Sequence, residues 1–473
     1  MHVVVANGSM KMSTRSQLNR PLALLVAGTL FMEILDGTIL STAAPAIAAD
    51  LGVEPVDVNT AMTGYLIALA AAIPVSGWLT ERFGGRRILA IAITVFTVAS
   101  IACAVSPSLP VLVVMRIVQG LGGALMVPVG RLVVLRETSK ADMLDAIAYL
   151  TWPALLAPVI APTLGGWIVT IASWHWIFLI NAPLGALALI VALRIVPVAR
   201  DQEPRPLDWL GFVLCAGTLA IAMIFVEVLQ PAGGLNWPIV LGTGAGSLVL
   251  IGVSGWWLRR TPHPILQFRA LRIHTFAVSN LGGGLYRMVI NAVPFLVPLL
   301  LQVGFGLSPV ASGNLLLLLF LGNMTIKPAT SPLIRRFGFR TVLLCCIAGG
   351  ALVIAALGLL RSTTPLPVIG ALLLVSGVFR SVGFSSYNSL QFADVPADDM
   401  AGANTLSATI QQLASGLGIA VGALLLRLGE HLPPNPPAAA YTWAFGGLAV
   451  IMVLPLLQAW RLPPTCGDAL RRR

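Results

Sequence analysis

A chain of 473 residues that is 57% hydrophobic and only 10% charged, with a mean hydropathy of +0.90, does not have the composition of a soluble globular domain. It has that of an integral membrane protein. The formal charge of +11 is spread over short segments between apolar runs, so it reports membrane topology and contact with anionic lipid headgroups and excludes a nucleic-acid partner.

A helix needs roughly 20 apolar residues to cross the hydrocarbon core. In chain order, stretches of that kind run over about 21–43, 59–80, 87–106, 109–133, 144–169, 174–196, 207–229, 238–257, 275–300, 309–331, 341–360, 365–388, 403–427 and 440–461, fourteen in all. The long continuous runs are unlike the alternating ten-residue segments of a β-barrel, so the expected fold class is an all-α polytopic membrane protein. Residues 1–20 lack the short core and cleavage site of a signal peptide and read as a cytoplasmic segment. With that segment inside, the inner loops hold Lys11, Arg15, Arg20, Arg82, Arg86, Arg87, Arg136, Lys140, Arg194, Arg200, Arg205, Arg259, Arg260, Arg269, Arg272, Arg335, Arg336, Arg340, Arg461 and Arg471 to Arg473. The outer loops hold Arg361 and Arg427. This asymmetry puts both termini in the cytoplasm, the second in a basic tail over 463–473.

An internal repeat shows at the cytoplasmic turns. "GWLTERFGGRR" at 77–87 aligns with "SPLIRRFGFRT" at 331–341, setting Gly84 over Gly338 and Arg86 over Arg340. "SKADM" at 139–143 aligns with "VPADDM" at 395–400, setting Asp142 over Asp399, and Gly120 falls over Gly377. Two copies of a six-helix unit, 21–200 and 261–462, therefore flank an insert of two further helices, 201–260. Facing bundles of this kind suit alternating access, in which a central site opens to one side and then the other. The five cysteines show no metal-ligand or disulfide spacing, and no phosphate-binding Gly-rich motif occurs. An enzyme and a non-transport membrane scaffold are the readings this pattern disfavours, and no cofactor or metal is expected.

Four motifs now combine. "LDGTILSTAAP" at 35–45, "GWLTERFGGRR" at 77–87, "RIVQGLGG" at 116–123 and "WHWIFLINAPLG" at 174–185 resemble the signatures of the major facilitator superfamily, and within it the 14-span drug:proton antiporters, closest to their MdtD-like branch. The likeness covers residues 20 to 461. In the fifth span "APTLGG" keeps Pro162, Gly165 and Gly166 but has Ala161 where the antiporter signature has glycine. The resemblance implies a proton-coupled multidrug efflux protein of the bacterial inner membrane. Such a carrier works as a monomer and is driven by the proton gradient.

Charge inside a span is costly unless paired or hydrated, so such residues mark function. Asp36 in the first span and Arg116 in the fourth lie at matching depths at 1.5 Å per residue, so a pair is geometrically reasonable. The resemblance implies that they take part in proton coupling. Glu33, three residues before Asp36, shares much of its helix face and joins the coupling candidates. Substrate-binding candidates are Gln119, Arg287, Asn291, Lys327, Arg380, Tyr387 and Asn388. Within the spans five cations, Arg116, Arg131, Arg287, Lys327 and Arg380, face three acids, Glu33, Asp36 and Glu227. That excess keeps a second substrate class open: organic anions such as metal-chelating carboxylates. Gating candidates are Gly77, Glu81, Arg82, Gly84, Arg86, Arg87 and Asp142 with Pro162, Gly165 and Gly166, and Arg340 with Asp399 in the second half. Glu81 with Arg82, Arg86 and Arg87 is expected to make exchangeable ion pairs with Asp142 or the next helix. Arg335, Arg336 and Arg340 are expected to do the same with Asp394, Asp398 and Asp399.

Overall fold

The computed structural model describes residues 19–54, 57–140, 142–198, 206–229, 236–430 and 437–471. Most of the expected N-terminal segment, with Lys11 and Arg15, lies outside them. So do Arg200, Arg205, Arg472 and Arg473.

The described chain is helical throughout. The first half holds α1 (Arg20–Leu51), α2 (Asn59–Ala72), α3 (Ser76–Phe83), α4 (Gly85–Ala104), α5 (Leu109–Glu137), α6 (Met143–Ile171), α7 (His175–Leu179) and α8 (Asn181–Ile195). The insert is α9 (Trp209–Val228) and α10 (Trp237–Arg260). The second half holds α11 (His274–Ala277), α12 (Gly283–Leu299), α13 (Pro309–Thr325), α14 (Lys327–Phe337), α15 (Phe339–Gly358), α16 (Leu366–Leu390), α17 (Met400–Glu430), α18 (Pro437–Ile451), α19 (Val453–Trp460) and α20 (Asp468–Arg471).

Local chemistry sets the breaks. The Asn19 side chain caps α1, accepting from Leu22 N at 3.2 Å, and Gly52 ends it in the left-handed region at φ 67°. Helix α1 therefore runs past Pro45 to Leu51, beyond the expected end of the first span. Pro74 tightens the second span into one short turn between α2 and α3. Pro328 follows the break at Ile326 that divides the tenth span into α13 and α14.

Among the described residues, twelve helical segments are long and apolar enough to cross a membrane. They coincide with twelve of the fourteen expected spans. Two shorter apolar helices, Met143–Pro158 and Ala311–Thr325, lie where the fifth and tenth spans were expected. The tenth falls short because its helix divides ahead of Lys327 and Pro328.

The repeat is physical. Gly84 and Gly338 sit at φ 83° and φ 80° with ψ 144° and 158°, a backbone that side-chain-bearing residues rarely adopt. In the first half α1 packs on α6, α2 on α5, and α4 on α5 and α8. In the second α12 packs on α17, α13 on α16, and α15 on α16 and α18. At the end of the molecule bearing the two glycine turns, the halves also share a core. Leu132, Leu135, Met143, Leu144 and Ile147 of the first half belong to the second half's apolar cluster. The tail is no free segment over its described part, because Cys466 and Leu470 are buried and Gly467 sits against Phe339 and Leu390.

Candidate functional site

Asp36 and Arg116 meet, and both are removed from solvent, at 2% and 0% exposure. Asp36 Oδ2 takes the Arg116 guanidinium. Its Oδ1 accepts from Gln119 Nε2 at 2.9 Å and from Asn181 Nδ2 at 2.8 Å. Arg116 also donates to Gln119 Oε1 at 2.8 Å, Asn181 donates to Ser100 Oγ at 3.0 Å, and Ser100 donates to the Phe178 carbonyl. The guanidinium lies 4.1 Å from the Tyr65 ring centroid. Asp36 is thus a saturated acceptor clamping α1, α5 and α8. A buried carboxylate survives only with this kind of pairing.

Glu33, one turn earlier, is different. It is half-buried and its enclosed Oε2 has no hydrogen-bond partner. Its carboxylate interacts electrostatically with Arg131 and Asp36. Gly123 faces it, and a Cβ there would make ordinary contact with Glu33 Cγ at 3.5 Å.

In the second half the cations have neutral partners. Arg287 donates to Asn388 Oδ1 at 3.1 Å and stacks 4.2 Å from the Phe384 ring, while its Nε stays unpartnered. Arg380 donates to the Ile290 carbonyl at 2.5 Å and to Asn291 Oδ1 at 3.2 Å, and Asn291 donates in turn to Ser415. Lys327, 6% exposed, donates to Ser385 Oγ at 2.5 Å and to Thr151 Oγ1 at 3.2 Å. Tyr387 is buried with its hydroxyl unpartnered, 5.6 Å ring to ring from Tyr286.

Polar links across the two halves gather towards the glycine-turn end. Arg131 reaches Gln411 Oε1 at 3.4 Å, Asn404 donates to the Pro128 carbonyl at 2.9 Å, and Lys140 donates to the Ala393 carbonyl at 3.1 Å. Arg335 pairs with Asp145 at 2.9 Å, and Gly77 lies so close to Thr405 that a side chain there would collide.

The expected gating pairs are redrawn. Asp394 accepts from Thr275 and Asp399 lies 3.9 Å from Arg269, so these acids take other partners than Arg335, Arg336 and Arg340, while Arg335 crosses the seam to Asp145. Asp142 accepts from Ser139, Arg82 lies over the rings of Trp78 and Phe83, Arg86 donates to the Leu193 carbonyl, and Arg87 is exposed. Glu81 is half-buried beside a cavity of about 290 Å³, and Arg340 is half-buried at the start of α15. Gly165 abuts Ile39 and Thr42 of α1, and Gly166 faces open space. The Pro162 side chain lies outside the described residues.

Asn181, Ser100, Gln391, Ser407 and Gln411 were not singled out in the sequence. Asn181 alone had a signal, as the polar residue within "WHWIFLINAPLG". Gln411 donates to Ser407 at 2.9 Å, to Gln391 at 3.3 Å and to Asn388 at 3.4 Å, joining Arg131 to the Arg287 site. Among the described residues no group of three His, Cys, Asp or Glu side chains assembles as a metal site.

A family model described as the Major Facilitator Superfamily matches residues 26–278 and 279–465. The chain belongs to the major facilitator superfamily. A protein of Pectobacterium atrosepticum named "Putative multidrug resistance protein MdtD" is 34% identical over 446 residues, covering 93% of this chain and 95% of that one. A protein of the same name from Salmonella paratyphi A is 34% identical over 448 residues, covering 93% and 94%. The superfamily fold is also that of the human organic anion transporter MFSD10, with TM-score 0.66, 16% identity and coverage of 93% and 99%. The proton:xylose symporter XylE, bound to 6-bromo-6-deoxy-D-glucose, matches with TM-score 0.66, 15% identity and coverage of 96% and 98%. As a superfamily member in the MdtD-related branch, the chain is a multi-pass bacterial inner-membrane transporter of small molecules and not an enzyme.

Proposed function

We propose that this transporter is a fourteen-span, proton-coupled exporter with both termini cytoplasmic, exchanging inward-moving protons for an outward-moving small molecule. The observation that carries the reading is Glu33, an acid within a membrane-crossing helix whose enclosed carboxylate oxygen has no hydrogen-bond partner, one turn from the buried Asp36–Arg116 ion pair. Glu33 takes and releases the proton. The Asp36–Arg116–Gln119–Asn181 network holds α1 against α5 and α8 so that Glu33 stays between the halves. The multidrug-resistance name of the MdtD relatives supports export.

In this scheme the deprotonated carrier, open to the cytoplasm, binds substrate among Arg287, Asn291, Arg380, Tyr387 and Asn388. It then rocks, releases substrate as Glu33 gains a proton, and returns protonated. The end bearing Gly84 and Gly338 is the cytoplasmic one. Its crosslinks, from Gly77 against Thr405 to Arg335 with Asp145, support a conformation closed on that side.

A second reading concerns the substrate's charge. Arg287, Arg380 and Lys327 hydrogen-bond to amides, hydroxyls and a carbonyl, which favours an organic anion over a lipophilic cation at the second half's wall. The test is proton flux in liposomes of purified protein challenged with lipophilic cations and with organic acids. Flux evoked by either class, and lost in Asp36→Asn and Glu33→Gln, supports coupled export and selects the substrate class. Substrate movement without proton flux in the wild type would overturn antiport.

A further inference from the structure

The two bundles meet along two long seams, and the structure treats them unequally. Along one, between α2 and α17, the insert intervenes. Helix α9 packs on both, with Leu219 and Met223 in one cluster with Ile67 and Ala70 of α2 and Leu413 of α17. Met223 also sits against Gly416. The Leu229 carbonyl accepts from Arg427 of α17 at 3.4 Å. Asp208, at the start of α9, accepts from Gly211 N, Trp257 Nε1 and Ile265 N, tying the insert to the strap that follows it. Gln267 of that strap fills the space above Gly402 of α17. This seam is plugged with apolar contact and strapped at its end.

Along the other, where α6 packs on the broken α13–α14 span, no helix intervenes among the described residues. The amine of Lys327 is shared between Thr151 on α6 of the first half and Ser385 on α16 of the second. Lys327 is also the first residue of α14, directly after the break at Ile326. A buried ammonium in that place, held by two hydroxyls, is a weak fastening and not a permanent weld. The same seam carries Arg335 with Asp145 nearer the glycine-turn end.

We propose that the seam between α6 and the broken α13–α14 span is the side on which this transporter parts towards the bilayer, with Lys327 as its latch on Thr151, while α9 keeps the α2–α17 seam shut. The latch holds whichever charge the substrate carries, so it stands or falls apart from the exporter reading. Lys327 is a positioning residue, acting on the angle between the bundles.

The test is pulsed electron spin distance measurement on full-length protein in lipid nanodiscs, needing no substrate. One pair of labels replaces Tyr149 on α6 and Leu321 on α13, both exposed, and the other replaces Leu66 on α2 and Leu424 on α17, also exposed. Lys327→Met and Thr151→Val should each shift the α6–α13 distribution towards longer distances with no further shift when combined, and leave α2–α17 unchanged. Lys327→Arg should restore the wild-type distribution, and Ser385→Ala should be silent. A shift in Ser385→Ala with none in Thr151→Val would make Lys327 a prop within its own bundle and overturn the proposal. Equal movement of both seams would overturn the inequality.

Discussion

The two halves share a helix plan yet handle buried charge in opposite ways. In the first half Asp36 and Arg116 neutralise each other within a hydrogen-bonded network reaching Gln119, Asn181 and Ser100, although Arg116 Nε and Nη2 and Asn181 Oδ1 stay unpartnered. In the second, Arg287 and Arg380 are held by amide oxygens and a carbonyl, and Lys327 by hydroxyls. An internal repeat therefore conserves turns and packing partners without conserving electrostatics. The first half sets two acids, Asp36 and Glu33, against two cations, Arg116 and Arg131, and the second carries positive charge that the protein does not cancel locally.

The contrast breaks most easily at its compensated end. Asp36→Asn strands the fully buried Arg116 charge, and losing one partner of a buried pair costs about 3–5 kcal/mol. Thermal unfolding in detergent should show a large drop with transport abolished. Arg287→Met removes a charge with neutral partners and should leave stability unchanged or raised, and a drop matching that of Asp36→Asn would erase the contrast. Glu33→Gln is the sharper partner experiment. The Glu33 oxygen with no hydrogen bond loses nothing in the exchange, so unfolding should match wild type while substrate-evoked proton flux disappears.

Smaller effects follow. Replacing Arg287 or Arg380 by glutamine should raise the KM for a transported organic acid about tenfold or more, the worth of a charge-assisted hydrogen bond, and leave that for a lipophilic cation unchanged. Gly84→Ala and Gly338→Ala should each cost about 1–3 kcal/mol, measurable as similar falls in unfolding temperature, because both turns need the same positive-φ, extended-ψ backbone that is open essentially to glycine alone. Smallest is Arg335→Ala, at most about 1 kcal/mol for a partly exposed pair, seen as a shift between conformers and not as loss of fold.

Much of this fold was legible because hydrophobic length and loop charge act locally. The helix positions, the "RFG" turns and the Asp36–Arg116 pair all follow from periodicity and depth counted along the chain. Partner choice was not legible, because it is decided between segments far apart in sequence. Asn181 meets Asp36 from 145 positions away, and Arg335 pairs with Asp145 of the other half. Nor does a three-residue spacing reveal that Asp36 is sealed while Glu33 keeps an unmatched oxygen. That difference rests on whether α8 and α5 supply donors at one turn and not at the next. The tenth span shows the same limit: its residues are apolar enough, but the break at Ile326 shortens the helix and gives Lys327 its place at a helix start.

The most direct measurement is substrate accumulation in inside-out membrane vesicles under an imposed pH gradient, acidic within, using wild type and Glu33→Gln at equal protein level. Wild type should accumulate substrate uphill and lose it when a protonophore is added, and Glu33→Gln should only equilibrate. Full gradient-driven accumulation by Glu33→Gln would contradict the account, because the proton would then be carried by a group other than Glu33.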